Sequence, residues 1–360
     1  MIILAVESSC DETAVALVRD GRTVLADCIA SSVEMHRIYG GGVPEIASRK
    51  HIEVIAQLAD QALEQAGLSR GDIDAVAVTY APGLIGAVLV GVSFAKSVAY
   101  ALGVPLIPVH HVRGHIAANY LAHPDLEPPF VCLCVSGGTS LLVDVKGYTE
   151  MEILGATRDD AAGECFDKIA RVMGLGYPGG APLDRAAQGG NDKAFSLPRV
   201  HIQDAPLDMS FSGLKTAMLN LIHNAQQKGE ELPVADLAAS FSAAVSEELV
   251  PRTMAAAQAK GYGKVAVVGG VAANSRIRRD LEQACQAAGC TLYLPPLKLC
   301  GDNGSMIGSQ GYYEYLAGTR AGTDLNAYAN REISRPYGTG TAPVFPSPVE
   351  KSVESVHNSL

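Results

Sequence analysis

Two histidines are spaced four residues apart in the run Val109-His110-His111-Val112-Arg113-Gly114-His115. On a helix, His111 and His115 would share one face, with Cβ atoms about 5–6 Å apart, which suits two imidazoles binding one metal ion. His110 diverges around the helix and is left out of the pair. In the hydrolytic motif His-Glu-x-x-His a glutamate follows the first histidine as general base, whereas here Val112 follows it. The spacing therefore indicates either a metal with another chemistry or two ordinary histidines.

A third ligand is available far downstream, in the polar loop Leu299-Cys300-Gly301-Asp302-Asn303-Gly304. Asp302 could complete a two-histidine, one-carboxylate site, which leaves positions open for water or substrate and suits iron or zinc. Cys300 is the competing ligand in the same loop. On its own, an aspartate in such a loop is more often a turn residue than a ligand.

The composition bounds the class of protein. The chain has 360 residues, of which 48% are hydrophobic and 18% charged, which predicts a large core and two domains. Eight cysteines without a Cys-x-x-Cys pair are typical of a reducing compartment, and the N-terminus carries no secretory signature, so we predict a cytoplasmic protein. The run 83–109 is long enough to span a membrane, but its internal glycines and Pro105 favour a fully buried helix of an α/β core.

The charge balance bears on nucleic-acid binding. The net charge of −10 argues against generic binding of nucleic acid, although it leaves room for local basic patches. Two groups of cations could form such patches, and solvated helix faces are the more common alternative: Arg276, Arg278 and Arg279, and Arg37, Arg49 and Lys50.

A strand–turn–strand pattern occurs twice. Residues 2–6 and 13–18 are apolar and flank the polar turn 7–12, and the same pattern recurs over 130–145 around Ser136-Gly137-Gly138-Thr139. We therefore predict a duplicated α/β unit around a common cleft, with a hinge at 124–129. Helical periodicity appears at three places: 52–66, 234–257 and 275–288.

Several loops have the composition of ligand-binding turns. Ser136-Gly137-Gly138 and Gly269-Gly270 follow strands, where backbone N–H groups can approach an anion closely, although neither is a Walker loop or a Rossmann fingerprint. The carboxylates of 155–168 could hold a ribose or a cation, with a charged surface helix as the alternative. The Gly- and Pro-rich run 176–182, which leads to Asp184, indicates a backbone shaped for a ligand or a lid.

Taken together, ten segments over about residues 1–335 resemble the bacterial TsaD family, the tRNA threonylcarbamoyladenosine transferases once called O-sialoglycoprotein endopeptidases. The segments are 7–13, 39–49, 81–86, 111–115, 135–138, 164–168, 177–184, 210–216, 269–274 and 302–304. The resemblance implies an actin-like, sugar-kinase-like ATPase fold (ASKHA), an α/β fold of two lobes around a nucleotide cleft. The implied boundaries are 1–125 for the N-terminal lobe, 126–325 for the C-terminal lobe, 326–335 packing back on the N-terminal lobe, and 336–360 as a flexible tail.

The resemblance also implies a site. It assigns one divalent metal, iron or alternatively zinc, to His111, His115 and Asp302, and it makes Glu12 a candidate catalytic residue. ATP with magnesium is a further expectation for the cleft. The implied substrate contacts are Cys134, Val135, Ser136, Gly137, Gly138, Asp167, Gly180, Asp184 and Asn274. The chain departs from the family pattern at Thr139, where His is usual, and at Gly301, where Thr is frequent.

The implied reaction transfers the threonylcarbamoyl group of threonylcarbamoyl-AMP to the N6 amine of the adenosine beside the anticodon, in tRNAs that read codons beginning with A. The implied partners are tRNA, a TsaB-like paralogue and a TsaE-like ATPase, with no membrane. Two alternatives stay open. A metal-dependent peptidase is disfavoured by Val112, and a non-catalytic nucleotide-binding scaffold is compatible with an actin-like fold.

Overall fold

Two mixed five-stranded sheets form the frame of the computed structural model, which describes residues 1–33, 43–199, 202–335 and 337. The first sheet contains β1 (Ile2–Glu7), β2 (Glu12–Arg19), β3 (Thr23–Ser31), β4 (Ala75–Ala81) and β5 (Leu106–His110). The second contains β6 (Phe130–Val135), β7 (Ser140–Val145), β8 (Met151–Ala156), β9 (Lys264–Val268) and β10 (Thr291–Tyr293).

The two sheets have the same topology. Their strand orders are β3-β2-β1-β4-β5 and β8-β7-β6-β9-β10. In each sheet the central strand, β1 or β6, is antiparallel to its hairpin partner and parallel to its neighbour on the other side, β4 or β9. The central strands β1, β4 and β6 are buried almost throughout, as expected for apolar runs covered on both faces. The predicted duplication of an α/β unit opening with a hairpin is confirmed.

Helices cover both sheets. Within the described residues they are α1 (Pro44–Ala66), α2 (Ile85–Leu102), α3 (His111–Ala122), α4 (Ala162–Val172), α5 (Gly180–Ala186), α6 (Ser212–Lys228), α7 (Val234–Lys260), α8 (Ser275–Ala288) and α9 (Gly304–Leu316). The three helices predicted from periodicity are confirmed, although α1 begins eight residues before the predicted 52, at Pro44. Its first turns bury only Ala47 and His51, so they add little periodic signal.

The run 83–109 does contain a helix, as predicted, but the prediction that this helix is fully buried is wrong. The helix is α2, and it ends before Gly103 as its sequence indicates, but it buries one face of small residues only. Ile85, Leu89 and Tyr100 are exposed. By length and composition alone α2 is also apolar enough to cross a membrane, with one third of it buried.

Two helices lie between the sheets and position the candidate site. α3 follows β5 directly, and its Asn119 Nδ2 donates to the Val267 carbonyl of the second sheet, 3.2 Å away. α9 packs against α3 and the first sheet through a glycine face. A Cβ on Gly308 would lie 2.6 Å from the Val18 side chain, and one on Gly311 would lie 2.6 Å from Ala77. This close approach brings the loop before α9 next to the start of α3.

The segment 326–335 also contacts the first sheet and α3. The Tyr328 amide donates to the Tyr80 carbonyl at 2.9 Å, and the Arg113 guanidinium donates to the Ile333 carbonyl at 2.7 Å. The proposed lobe boundaries and the hinge at 124–129 stay predictions. Apart from Tyr337, the predicted tail 336–360 lies outside the described residues, as do residues 39–42 of one resembling segment.

Candidate functional site

The predicted ligands His111, His115 and Asp302 come together. Both histidines lie on the first turns of α3, with ring centroids 4.6 Å apart. Asp302 Oδ1 lies 3.5 Å from His111 Nε2 and 3.1 Å from His115 Nε2. One potential ligand atom from each residue falls within 4.8 Å of the others, so the three residues could hold one metal ion. Both ring nitrogens of His115 are buried, and Nε2 faces the Asp302 carboxylate, so it is turned toward the point at which a metal ion would bind.

The loop that carries Asp302 is held in place at the end where α9 begins. Asn303 caps α9, its side-chain oxygen accepting the Met306 amide at 2.8 Å. The Asp27 carboxylate of β3 accepts the amides of Gly304 and Ser305 at 3.2 and 3.0 Å. These caps satisfy N–H groups that have no partner inside the helix, and they fix Asp302 two residues before the helix begins.

Glu7, at the end of β1, orients His111 and was missed by the sequence analysis. Its carboxylate is fully buried and lies 3.1 Å from His111 Nδ1, so His111 presents Nε2 to Asp302. The Ser9 amide and the Thr79 hydroxyl both donate to Glu7. A carboxylate behind a metal-binding histidine fixes the ring orientation and raises its basicity. An acidic residue that ends a buried apolar strand was the available signal.

Opposite charges offset the cost of burying this cluster. Burial alone would lower the pKa of His111, but Glu7 and Asp302 outweigh it and raise that pKa to about 9. Burial would raise the pKa of Asp302, but the charges of His111 and His115 lower it to about 2. The pKa of Glu7 is also lowered, because His111 outweighs the effect of its burial. The cluster is therefore an ion-paired group, in which a divalent cation would displace the Nε2 proton of His111 and take its place beside Asp302.

Glu12, the first residue of β2, lies near this cluster. Ser31 Oγ donates to its carboxylate at 3.1 Å. Burial, followed by the charge of Asp302, raises the pKa of Glu12 to about 7. A carboxylate with a pKa near neutrality is suited to exchange a proton with a reacting group.

Two neighbours of the predicted ligands have other roles. His110 caps α3: its Nδ1 accepts the Val112 amide, and its Nε2 lies 3.0 Å from the Arg331 carbonyl. Cys300 is buried, and its sulfur accepts from the Arg278 guanidinium at 3.3 Å. The alternative prediction that Cys300 is the third metal ligand is therefore wrong, because its sulfur is turned toward α8 rather than toward the two histidines.

The second hairpin supplies the predicted turn Ser136-Gly137-Gly138. The Ser136 amide donates to the Thr139 carbonyl at 2.8 Å and closes the turn. None of the turn residues has a charged side chain. Cys134 and Val135 are buried in β6, so only their backbone could reach a substrate. Gly269, at the end of β9, has a φ of 93°, and a Cβ there would collide with the Val135 carbonyl.

The remaining predicted contacts lie in α4, in α5 and at the start of α8, and the side chains of Asp167, Asp184 and Asn274 each make a structural hydrogen bond. Asp167 accepts the Gly179 amide at 2.6 Å, next to Gly180 at the start of α5. Asp184 accepts from the Ser275 amide and hydroxyl at 3.1 and 2.7 Å, and so ties α5 to α8. The Asn274 side chain caps α8. Part of the predicted rigid run 176–182 is helical, since α5 begins at Gly180.

The carboxylate-rich segment 155–168 is partly a helix held by ion pairs. Asp160 pairs with Lys215, and Glu164 pairs with Lys168 at 2.5 Å. Asp159 caps the start of α6, accepting the amides of Phe211 and Ser212. These bonds favour the structural alternative over a cation or ribose site.

The basic patches suggested by the sequence are largely neutralised. Arg276 pairs with Asp192 and Asp280, and Arg278 donates to the carbonyls of Ala272 and Pro295. In the other group, Arg49 pairs with Glu45, and Lys50 pairs with Glu53. Arg37 lies outside the described residues. The solvated or locally paired helix face is therefore the better interpretation of both groups.

Solved structures with similar folds support the two-lobed architecture. The chain is similar to HypF from T. kodakarensis, with a TM-score of 0.60 at 17% identity over 88% of this chain and 48% of that one. It is also similar to component A of (R)-2-hydroxyglutaryl-CoA dehydratase from Acidaminococcus fermentans, with a TM-score of 0.50 at 16% identity over 88% and 97% of the two chains. The predicted actin-like, sugar-kinase-like ATPase fold is confirmed.

Comparisons of the sequence with known proteins identify the family. A curated relative from Clostridium botulinum, named tRNA N6-adenosine threonylcarbamoyltransferase, is 52% identical over 92% of this chain and 97% of its own. A relative of the same name from Moorella thermoacetica is 55% identical over 90% and 95%. The family model TsaD, described as tRNA N6-adenosine threonylcarbamoyltransferase, matches residues 23–309. The chain belongs to the TsaD family.

Proposed function

We propose that this protein transfers the threonylcarbamoyl group of threonylcarbamoyl-AMP to the N6 amine of an adenosine beside the anticodon of tRNA. The amine nitrogen forms a bond to the carbamoyl carbon, the bond from that carbon to the phosphate oxygen breaks, AMP leaves, and the amine loses one proton. The observation that carries the proposal is the convergence of His111, His115 and Asp302 in a chain of this family.

The three residues fit a divalent metal. They offer two imidazole nitrogens and one carboxylate oxygen, and Nε2 of each histidine faces Asp302 Oδ1. Such a donor set accepts iron, and zinc is the alternative. When bound, the metal would supply Lewis-acid polarisation of an oxygen of the acyl donor. Position 112 holds a buried valine rather than a general-base glutamate, so no observation favours the peptidase.

The chain's own residues would stabilise charge, orient the ligand His111 and accept the proton that the amine loses. The amides of the turn Ser136-Gly137-Gly138 would stabilise negative charge on the phosphate or on the developing oxyanion. Glu7 would hold His111 in one orientation throughout. Glu12, with its raised pKa, would accept the proton that the amine loses. An exocyclic aryl amine is a poor nucleophile, so most of the activation has to come from the acyl side.

The partners belong to the same proposal. tRNA is the acceptor, and a TsaB-like paralogue and a TsaE-like ATPase are proposed to assemble with this chain. The acidic net charge of −10 supports this arrangement, because partner surfaces can supply cations that attract the RNA backbone. ATP with magnesium in the cleft and a cytoplasmic location stay predictions.

Mass spectrometry of tRNA nucleosides tests the proposal directly. The purified chain with these partners is incubated with unmodified tRNA and threonylcarbamoyl-AMP, and we expect the threonylcarbamoylated nucleoside with one AMP released per transfer. A matched reaction with His115→Ala serves as control. Nucleotide binding without modified nucleoside would instead support the scaffold, and metal-dependent cleavage of a defined peptide would support the peptidase.

A further inference from the structure

A cavity of about 640 Å³ opens beside the candidate site, on the side that the predicted substrate residues Asp167, Asp184 and Asn274 do not line. Its volume falls within the ~300–1,000 Å³ typical of ligand pockets. Three parts of the chain enclose it: the start of α3 from the first lobe, the second hairpin with β8, and residues 330–335. None of the site predictions from the sequence includes the residues of this last segment.

The cavity shares two walls with the candidate site. Gly138, from the turn assigned to the acyl donor, lines it, and a Cβ on Gly138 would meet no atom within 4 Å. His110 and Val112, which flank the candidate ligand His111, also line it. A ligand in the cavity would therefore lie between the turn and the helix start, next to the reacting groups.

The remaining walls have the chemistry of a pocket for a nucleobase. Leu141, Ile153 and Ile333 offer apolar surface on which a flat ring could lie, and Thr139 and Asn330 add polar groups at its edges. RNA-binding proteins read unstacked bases through such a combination of flat apolar contacts and a few hydrogen-bonding groups.

Two arginines give the cavity mouth positive charge. The Arg331 guanidinium lies over the rings of Tyr80 and Tyr328, 5.6 and 5.1 Å from their centroids, and none of the described residues accepts a hydrogen bond from its buried Nε. Arg335 is exposed and pairs only at the surface with Glu332, 3.2 Å away. Exposed or unpaired guanidinium groups beside an apolar pocket are suited to contact phosphates that flank a base.

The segment that carries these arginines is hydrogen-bonded to the start of α3, the helix of the candidate ligands His111 and His115. His110 Nδ1 accepts the Val112 amide, so its Nε2 carries the proton and donates to the Arg331 carbonyl. Arg113 donates to the Ile333 carbonyl from the same helix. The cavity and the candidate ligands are thus held in a fixed relation.

We propose that this cavity receives the acceptor adenosine, turned out of the anticodon loop, with its base against Ile153 and α3 and its flanking phosphates near Arg331 and Arg335. The acyl donor and the acceptor then approach the turn Ser136-Gly137-Gly138 from opposite sides. This inference rests on the proposed function.

Steady-state kinetics with each substrate varied in turn test it, with the full chain and its proposed partners. Ile153→Trp fills the cavity from an exposed strand position, and Ile29→Trp makes the same change at an exposed strand position of the other sheet. We expect Ile153→Trp to raise the KM for tRNA about tenfold or more, with the KM for threonylcarbamoyl-AMP unchanged. Ile29→Trp should match the wild type.

A charge-reversal pair gives a second measurement that does not depend on filling the cavity. Arg335→Glu should raise the KM for tRNA about threefold and weaken its salt dependence, whereas Arg70→Glu, at an equally exposed ion-paired arginine, should do neither. A rise in the donor KM instead, or no change in either KM, would overturn the assignment of the cavity while transfer itself continues. Absence of modified tRNA with the wild type would overturn the proposed function.

Discussion

The two hairpin loops occupy equivalent places in sheets of the same topology, yet they carry opposite chemistry. The loop between β1 and β2 brings three carboxylates, Glu7, Asp11 and Glu12, whereas the loop between β6 and β7 has no charge and two glycines. In the proposed function the first loop therefore orients a metal ligand through Glu7 and exchanges a proton through Glu12, and the second loop supplies backbone N–H groups. The duplicated frame decides where the loops lie, and their side chains decide what each does.

The two kinds of loop also differ in what stabilises them. In the first loop Glu7 is buried and His111 of α3 offsets the cost of its charge, whereas Glu12 is partly buried and its pKa is raised. The second loop is held by main-chain hydrogen bonds and by the close approach of Gly269 to β6. Variants in the first loop or its partners should therefore act on the metal and on protons, and variants around the second should act on the acyl donor.

The largest effect is expected for His115→Ala. Removing one of three ligands should abolish metal loading and lower the transfer rate at least about a thousandfold, because Lewis-acid stabilisation of several kcal/mol is lost. Elemental analysis of the purified protein and the nucleoside assay measure the two effects. His223→Ala, at an exposed position of α6, is the control. A metal-free His115→Ala protein with full activity would contradict the assignment.

Glu7→Gln should have the next largest effect. The amide keeps the shape of the side chain but loses the charge that orients His111, so metal affinity and transfer should each fall about 10–100-fold. Competition with a chelator measures the affinity. Glu53→Gln, an exposed carboxylate on α1, should change nothing. Loss of activity with unchanged metal affinity would mean that Glu7 acts on the substrate rather than through His111.

Much of the fold was predictable because its signals are local. The hairpins follow from alternating apolar runs around polar turns, and α8 ends at the residue before Gly289, where the sequence places its end. The burial of α2 was not predictable, because an apolar helix with exposed Ile85 and Tyr100 has the same composition as a buried one. Packing against a neighbour, rather than composition, decides which face is covered.

The candidate site was predictable for those residues that a helical spacing or a sequence motif brings together. His111 and His115 are neighbours on any helix, but Asp302 joins them only because α9 packs on the first sheet through Gly308 and Gly311. Glu7 was missed since its role depends on the pairing of β1 with β4 and the approach of α3. Long-range contacts of this kind leave no periodic signal in the sequence.

Gly269→Ala tests the second loop. The residue has a φ of 93°, and a Cβ would collide with the Val135 carbonyl, so the end of β9 has to move away from the turn. We expect a loss of about 2–3 kcal/mol in the free energy of unfolding and a higher KM for threonylcarbamoyl-AMP, with metal content unchanged. Gly289→Ala has a similar backbone strain but open space, and should cost about 1 kcal/mol without touching that KM.

The smallest effect concerns the proton exchanged by Glu12. Its pKa of about 7 is raised first by burial and then by the charge of Asp302, and it is held down by the Ser31 hydrogen bond. A general base works as the carboxylate, so the transfer rate should rise with pH and level off above about 7. Glu12→Gln should lower the plateau and remove the inflection from the pH profile. Ser31→Ala removes the bond that favours the charged form, so the inflection should move to higher pH while the plateau is kept. An inflection that stays in place in both variants would assign the proton to another group and leave the first loop with the orientation of His111 as its role.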